Sequence, residues 1–240
     1  MEKSFTMDIS PNGFGCMYQS IIMGLAYCRK YRHKFKYTRF KLIHGIHNLH
    51  VVESLIGFLG KYETSNEESK LITYDHNLFG IKPEFYLTDE VLTEIRNNYD
   101  YNLFNIYNIP DYIAIHIRRG DINKKDNPIR WDDLDDYVRY IKCLKELYPH
   151  KIIYIVSQGH VNDFKLLTDN FNDLFFLLNG NPLESFDFLV KANILVISRS
   201  SFSYTASLLN KNIIYCDFIK NGRWFCKEFI KWRSFKNFKI

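Results

Sequence analysis

The chain has 240 residues, of which 46% are hydrophobic, 25% charged and 17% aromatic, and its formal net charge is +5 at pH 7. This composition excludes a disordered chain, because so many large apolar side chains can bury enough surface to offset the entropy lost on ordering. The 11 glycines and 6 prolines exclude collagen-like and low-complexity classes, and the 5 scattered cysteines with no CxxC pair argue against a disulfide framework or a zinc site.

The first half of the chain has an irregular pattern with few clear elements. Apolar periodicity predicts helices over residues 15–32 and 47–59, and a weak alternation over 37–43 permits a strand. A polar stretch over 62–70 indicates a loop. A threonine followed by acidic and apolar residues predicts a further helix over 88–98.

The second half alternates short runs of apolar β-formers with amphipathic helical segments. The predicted strands are 112–117, 151–156, 173–178, 194–197 and 212–216, the predicted helices are 131–147, 161–169, 183–192 and 202–209, and residues 222–232 permit a last helix. Apolar strands that alternate with helices indicate a parallel sheet covered on both faces, and right-handed crossovers then give a Rossmann-like α/β domain. The change of character predicts a domain boundary near residues 108–110.

Polar residues follow four of the predicted strands. They are the segments Arg118–Asp121, Ser157–Gly159, Asn179–Asn181 and Ser198–Ser201. Because ligands of doubly wound sheets bind beyond the carboxyl ends of the strands, we expect these segments to meet at one edge. Arginine and serine side chains at that edge favour a polyanionic ligand.

The sharpest motif is His116-Ile-Arg-Arg-Gly-Asp121. Two adjacent guanidinium groups at a strand end favour a bound phosphate, whose oxygens match the planar fork of arginine. Gly120 permits a tight turn or a close approach of the backbone. Asp121 could orient an arginine or take part in proton transfer, and the alternative interpretation of the motif is an Arg–Asp network at the surface.

A second motif, Ser198-Arg-Ser-Ser-Phe-Ser-Tyr204, follows a predicted strand and opens a predicted helix. Hydroxyl groups and free backbone N–H groups at a helix N-terminus can cradle a diphosphate. The alternative is an ordinary serine cap.

A third motif, with Gly13 and Gly15, precedes the first predicted helix and resembles a close-approach loop. It is not the dinucleotide fingerprint, because a third glycine is missing and no clear strand precedes it. A flexible helix entry is the alternative.

Together these motifs resemble the alpha-1,2-, alpha-1,6- and protein O-fucosyltransferase superfamily. HIRRGD at 116–121 has the form found after a central strand of that superfamily, and residues 184–203, ending in Ser-Ser-Phe-Ser, are most similar to the alpha-1,2 branch. GFGCMYQ at 13–19 resembles the glycine-rich opening of the family, and residues 155–164 resemble its Phe-Ser-Asp-Asp segment loosely. The resemblance covers the second half well and the first half weakly, as in a short, divergent member.

The resemblance implies a GT-B-like fold with two Rossmann-like lobes. Residues 1–110 would form a reduced, acceptor-side lobe and residues 111–240 the lobe that binds the GDP-sugar. The implied activity is transfer of fucose from GDP-fucose to a glycan hydroxyl, with inversion, without a metal ion and with no cofactor beyond the donor. Two alternatives stay open: a GT-B transferase that uses another nucleotide sugar, and a non-catalytic nucleotide- or glycan-binding module.

The resemblance also implies roles for single residues. Arg118 would bind the donor β-phosphate, His116 and Arg119 would support the motif and the leaving group, and Asp121 is a candidate general base. The other residues expected at the donor are His116, Arg119, Gly13, Gly15, Glu184, Ser200, Ser201 and Phe202. Among them, Glu184 would face the guanine, and the two glycines would lie on the N-terminal loop at the cleft.

The basic residues form two clusters, over 29–41 and 220–239. Solvated faces explain such clusters more often than nucleic acid does, so we expect no specific nucleic-acid partner. The sequence has no run of eighteen apolar residues and no apolar signal region at its N-terminus, which predicts no transmembrane segment and a cytoplasmic location. The basic C-terminus permits peripheral contact with a membrane.

Overall fold

The computed structural model describes residues 4–9, 12–66, 69–72, 85–104, 109, 111–216 and 233–235. The described residues up to 104 form one compact unit, and those from 109 onward form another. The boundary predicted near 108–110 falls largely outside the described residues, as do the helix predicted over 222–232 and most of the basic C-terminal cluster. Within the described part of the chain, no helix combines the length and apolar character that a membrane crossing requires.

The first unit holds a small parallel sheet. Its elements are β1 Ser4–Met7, α1 Phe14–Lys30, β2 Lys34–Phe35, α2 Leu49–Ile56, β3 Lys70–Ile72 and α3 Asp89–Asn98. The strand order is β2-β1-β3, and β1 pairs in parallel with both neighbours. The prediction of α3 is confirmed, since the Oγ1 atom of Thr88 accepts the backbone N–H of Val91 at its first turn.

Three details of the first unit differ from the sequence prediction. A strand does precede the glycine motif: β1 has only four residues, of which Thr6 and Met7 are buried, and so short a run carries no periodic signal. The strand expected over 37–43 is absent there, and β2 lies earlier, where Phe35 pairs with Phe5. Helix α2 ends at Gly57 with φ of +63° instead of continuing to 59.

The second unit holds a five-stranded sheet in which every paired strand is parallel. Its elements are β4 Tyr112–His116, α4 Leu134–Leu147, β5 Ile152–Ser157, α5 Lys165–Asn170, β6 Leu174–Leu178, α6 Pro182–Lys191, β7 Ile194–Val196, α7 Ser201–Leu209 and β8 Ile213–Tyr215. A short 3-10 turn, Val161–Phe164, precedes α5. The predicted alternation of strands and helices in a parallel sheet is therefore confirmed.

The core explains why the predicted strands form a central sheet. All five residues of β4 are buried, as a strand covered on both faces requires. Ile113 and Ile115 pack in one cluster with Ile141 and Leu144 of α4 and Ile155 of β5. The apolar residues that recur about every 3.6 positions along α4 pack in this core against the unbroken apolar run of β4.

The order of the strands locates the functional edge. Along the sheet the order is β6-β5-β4-β7-β8, so the chain first builds outward from β4 on one side and then returns to build on the other. In doubly wound sheets the reversal point, here between β4 and β7, opens a crevice beyond the carboxyl ends of the two strands. The motifs HIRRGD and SRSSFSY begin at those two strand ends.

Candidate functional site

The connections after β4 and β7 meet through Arg118 and Ser200. Atom Nη1 of Arg118 donates to Oγ of Ser200 at 3.0 Å, across 82 residues of sequence. The Arg118 side chain is only 19% exposed, and its Nε has no hydrogen-bond partner among the described residues. A guanidinium held at a strand end, with part of its side chain still open to solvent, is suited to bind an anion.

Ser200 is also the N-cap of α7. Its Oγ accepts the backbone N–H of Phe202 at 3.3 Å, and its backbone is extended, as a cap requires. Ser201 is the first residue of the helix and is half-buried. The positive end of the α7 dipole and the Arg118 guanidinium therefore face the same point, which reinforces the preference for an anion.

Asp121 lies on the other side of Arg118. Its carboxylate accepts from Nη2 of Arg118 at 2.7 Å, while the Asp121 side chain is 65% exposed. Between them, Gly120 has φ of +90°, and a Cβ atom there would lie 2.3 Å from Oε1 of Gln158. The glycine thus turns the chain in a way that brings Asp121 back to Arg118.

His116, at the end of β4, is buried and contacts the second motif. Its Nδ1 lies 2.6 Å from Oγ of Ser198, and its ring lies 5.6 Å from that of Phe202 between centroids. Burial, reinforced by the charge of Arg118, lowers the pKa of His116 to about 3. The imidazole is therefore neutral at physiological pH and fixes the two strand ends without adding charge.

Arg119 points into the protein, in contrast to its neighbour. Its guanidinium donates to the backbone oxygens of Arg118 at 2.8 Å and Asp132 at 3.0 Å, and it stacks on the Trp131 ring at 3.7 Å. Burial lowers the pKa of Arg119 from its ordinary value. This geometry gives Arg119 a positioning role in the loop, and its expected contact with the donor stays a prediction.

Asp132 is a residue of the site that the sequence interpretation missed. The helix predicted over 131–147 would place four acidic residues, Asp132, Asp133, Asp135 and Asp136, in its first turn, but α4 begins at Leu134, so only Asp135 and Asp136 lie there. Asp132 is 4% exposed, and its Oδ1 lies 3.0 Å from Nε of Arg199. One signal in the sequence pointed to Asp132: four acidic residues are more than the first turn of a helix needs for a favourable interaction with its dipole.

Burial changes the acidity of Asp132. Loss of solvation raises the pKa of this carboxyl from 3.8 to about 6, against the opposing effect of Arg199. Carboxyl groups with a pKa near neutrality occur preferentially at functional sites.

The remaining predicted residues occupy two other places. Glu184 lies in the first turn of α6, where its backbone N–H and that of Leu183 are capped by the Asn181 side chain. Gly13 is the N-cap of α1 in the first unit, whereas Gly15, expected on the loop before this helix, lies inside it. The donor-binding roles of Glu184, Gly13 and Gly15 stay predictions.

Comparison with known proteins agrees with this picture. The family model described as glycosyl transferase family 11 matches residues 62–236. No curated protein sequence matches the chain.

Two similar solved structures are crystal structures of NodZ. One is the NodZ alpha-1,6-fucosyltransferase soaked with GDP-fucose, with a TM-score of 0.51 and 10% identity over 87% of this chain and 93% of that chain. The other is the fucosyltransferase NodZ from Bradyrhizobium, with a TM-score of 0.50 and 12% identity over 87% and 94% of the two chains. At such identities the likeness establishes a shared fold.

The family match covers well over half of the chain and includes every motif of the second unit. The chain therefore belongs to glycosyl transferase family 11 and is a fucosyltransferase-like glycosyltransferase.

Proposed function

We propose that this glycosyltransferase moves fucose from GDP-fucose to a hydroxyl group of a glycan, with inversion at the sugar and without a metal ion. The contact between Arg118 and Ser200 is the observation that carries the proposal. It joins a fixed cation to a helix N-terminus at the reversal point of the sheet, which is where a nucleotide diphosphate binds in doubly wound folds. The similar NodZ structure soaked with GDP-fucose supports the choice of donor.

The proposed reaction breaks the bond between C1 of fucose and the β-phosphate oxygen. The bonding electrons stay with the phosphate, so negative charge grows on GDP while the sugar gains oxocarbenium character. The acceptor hydroxyl attacks C1 from the opposite face, a new C1–O bond forms, and the hydroxyl proton leaves to a base or to solvent. Attack from the opposite face inverts the configuration at C1.

Arg118 and the start of α7 are suited to the charge that develops. The guanidinium is held by Ser200 on one side and Asp121 on the other, so it needs little reorganisation when the phosphate charge grows. The contact of Asp121 with Arg118 supports an orienting role for this carboxylate. Its role as a general base stays a prediction.

The first unit completes the proposal as the acceptor side of a GT-B-like enzyme. Its parallel sheet places the β1–α1 connection, with Gly13 at the cap of α1, after the carboxyl end of the central strand β1. Such a position suits a ligand-facing loop. Kinship with the alpha-1,2 branch, the cytoplasmic location and peripheral membrane contact through the basic C-terminus stay predictions.

A donor panel tests the proposal directly. The purified chain is incubated with GDP-fucose, GDP-mannose, UDP-glucose and UDP-galactose, with EDTA present and absent, and release of the nucleotide is measured. We expect GDP release from GDP-fucose alone, at the same rate with EDTA. With methanol added as the acceptor, an NMR assignment of the anomer of the methyl fucoside would check inversion, because a glycoside keeps its configuration at C1.

Other outcomes would contradict separate parts of the proposal. Release from a different nucleotide sugar would replace the donor and keep the fold-based mechanism. Loss of activity in EDTA that added Mg²⁺ or Mn²⁺ restores would contradict the metal-independent reaction. Absence of GDP binding in calorimetry, together with no release from any donor, would contradict the function as a whole.

A further inference from the structure

The Arg118–Ser200 contact depends on two connections that are remote in sequence. The β4–α4 connection spans residues 117–133 and carries Arg118, whereas the β7–α7 connection spans 197–200 and carries Ser200. The strands below them pair in register, Ile115 with Val196, but this pairing ends before either motif residue. Side-chain contacts beyond the paired residues, beginning with that of His116 and Ser198 at 2.6 Å, therefore fix one connection against the other.

Asp132 contacts both connections at once. It belongs to the β4–α4 connection, and its Oδ1 lies 3.0 Å from Nε of Arg199. Its Oδ2 accepts the backbone N–H of Arg199, the residue before Ser200, at 3.4 Å. Its backbone oxygen accepts from Nη2 of Arg119 at 3.0 Å, next to Arg118. Asp132 thus joins the immediate neighbours of both residues that we expect to hold the diphosphate.

Arg199 extends the junction that Asp132 forms between the two connections. Its Nη1 donates to the backbone oxygen of Ile129 at 3.0 Å, so the guanidinium spans from the start of α7 to a second point of the β4–α4 connection. The hydroxyl of Tyr137 supports the carboxylate from α4, at 3.4 Å from Oδ2 of Asp132.

The location of Asp132 argues for a role beyond folding. An ionised carboxylate that is 4% exposed loses most of its hydration. The attraction within a buried ion pair seldom offsets this loss of solvation free energy in full. Asp132 does not serve as the cap of α4, since that helix starts after Asp133. A buried charge without a helix to cap, placed between two site-bearing connections, fits a residue retained for the geometry of the site.

We propose that Asp132 is a positioning residue that, through Arg199 and Arg119, sets the separation of Arg118 and Ser200 and thereby the enzyme's preference for a nucleoside diphosphate. This inference rests on the proposed function, because it takes the diphosphate of the donor to be the ligand of Arg118 and Ser200. Asp132 acts through its neighbours and need not touch the donor.

The test compares GDP with GMP, which lacks the β-phosphate. Calorimetry gives the ratio of the two dissociation constants for the wild type and for Asp132→Asn, whose amide has the shape of the carboxylate without its charge. We expect the wild type to prefer GDP strongly, and Asp132→Asn to lose about tenfold of that preference, the range typical of coupled charged neighbours. Loss of general order would weaken GDP and GMP alike and leave the ratio unchanged.

Asp133→Asn is the matched control. Asp133 is the adjacent acid of the same connection, but it is half exposed and pairs with Lys124 at 2.9 Å. We expect this variant to keep the wild-type ratio of the GDP and GMP dissociation constants. Arg199→Gln removes the other half of the junction at a less buried position and serves if Asp132→Asn folds poorly. The double variant should lose no more of the preference than either single variant does.

Distinct results separate this inference from the proposed function. A wild-type ratio in both folded Asp132→Asn and Arg199→Gln would overturn the role of Asp132 and leave the donor proposal intact. Additive losses in the double variant would overturn the junction. If the wild type bound GDP no better than GMP, the assignment of Arg118 and Ser200 to the diphosphate would fail and this inference with it.

Discussion

The connections after β4 and β7 differ in kind from those after β5 and β6, although all four lie at the same edge of one sheet. The first pair shares the neutral contact of His116 with Ser198 and is joined in addition by charged groups, with Arg118 on Ser200 and Asp132 on Arg199. The second pair is joined by a neutral amide: the Asn179 side chain accepts the N–H of Gly159 at 2.9 Å and donates to its oxygen at 2.8 Å.

A connection that serves only the fold can be closed with neutral hydrogen bonds, which is the simpler arrangement for groups near an apolar core. We therefore expect the charged ends of β4 and β7 to be the part of the edge that meets an ionic ligand. The comparison predicts that substitutions at the charged end change ligand binding, whereas equivalent substitutions elsewhere change stability alone.

The largest effect is expected from Arg118→Ala. Because the guanidinium would stabilise charge on the departing phosphate, kcat/KM for GDP-fucose should fall by at least about 100-fold. Steady-state donor turnover measures this loss, and circular dichroism checks that the sheet persists.

Arg139→Ala is its control, because Arg139 also pairs with an acid three residues away, Asp136 at 2.8 Å, but lies on the exposed face of α4. We expect donor turnover within about twofold of the wild type, since an exposed pair of this kind contributes little. Equal losses of donor turnover in the Arg118 and Arg139 variants would contradict a special role for Arg118.

Gly120→Ala should damage the β4 connection next. The new Cβ would approach Oε1 of Gln158 to 2.3 Å at a φ of +90°, so we expect unfolding free energy to fall by about 2 kcal/mol. Urea unfolding measures the change. Adding Gln158→Ala should recover the part of the lost unfolding free energy that is due to the steric clash and leave the part due to backbone strain. A Gly120→Ala variant as stable as the wild type would show that the turn tolerates a side chain.

Asp132 predicts a pH effect with a definite sign. Its pKa is raised from 3.8 to about 6 in the folded state, so the native protein holds this proton more tightly than the unfolded chain does. The stabilisation is complete below pH 3.8 and is lost as the pH rises through 6. Between pH 5 and 7 the free energy of unfolding of the wild type should therefore fall by about 1 kcal/mol relative to Asp132→Asn. Parallel pH curves for the two proteins would show that this carboxyl titrates normally.

The smallest effects are expected from two helix caps. Ser200→Ala and Asn181→Ala each remove a cap, of α7 and α6, and each should lower the free energy of unfolding by about 1 kcal/mol. Only Ser200→Ala should also weaken GDP binding, by about three- to tenfold, because only Ser200 contacts Arg118. Equal GDP affinity in the two variants would remove Ser200 from the site.

The sequence predicted the second unit much better than the first. Strands such as β4 are continuous apolar runs between polar turns, and the rule that ligands meet carboxyl ends led directly to Arg118 and Ser200. In the first unit, β1 and β2 have four and two residues, and their strand state comes from pairing with each other. Such short strands are set by tertiary contacts that periodicity does not record.

The candidate site shows the same limit at the level of side chains. The sequence presents Arg118 and Arg119 as equivalent neighbours, but in the connection after β4 their side chains reach different surroundings, one Ser200 and the other Trp131. Asp132 looks like one acid among four until the start of α4 is known. Both distinctions depend on where the β4–α4 connection turns. Gly120 permits the turn, but local propensity alone does not determine its position.

The central position of β4 also bears on how the protein acquires its site. Arg118 and Ser200 are 82 residues apart, and β4 meets β7 only after β5, β6 and their helices have been made. Pairing over such a distance is slow, because the chain loses the entropy of the intervening loop before the new contacts stabilise the sheet. A chain that has folded only through β6 therefore has the arginine but not its partner. We expect nucleotide binding to favour the completed sheet and to raise the temperature at which it unfolds, so that the ligand stabilises only a chain that has finished folding.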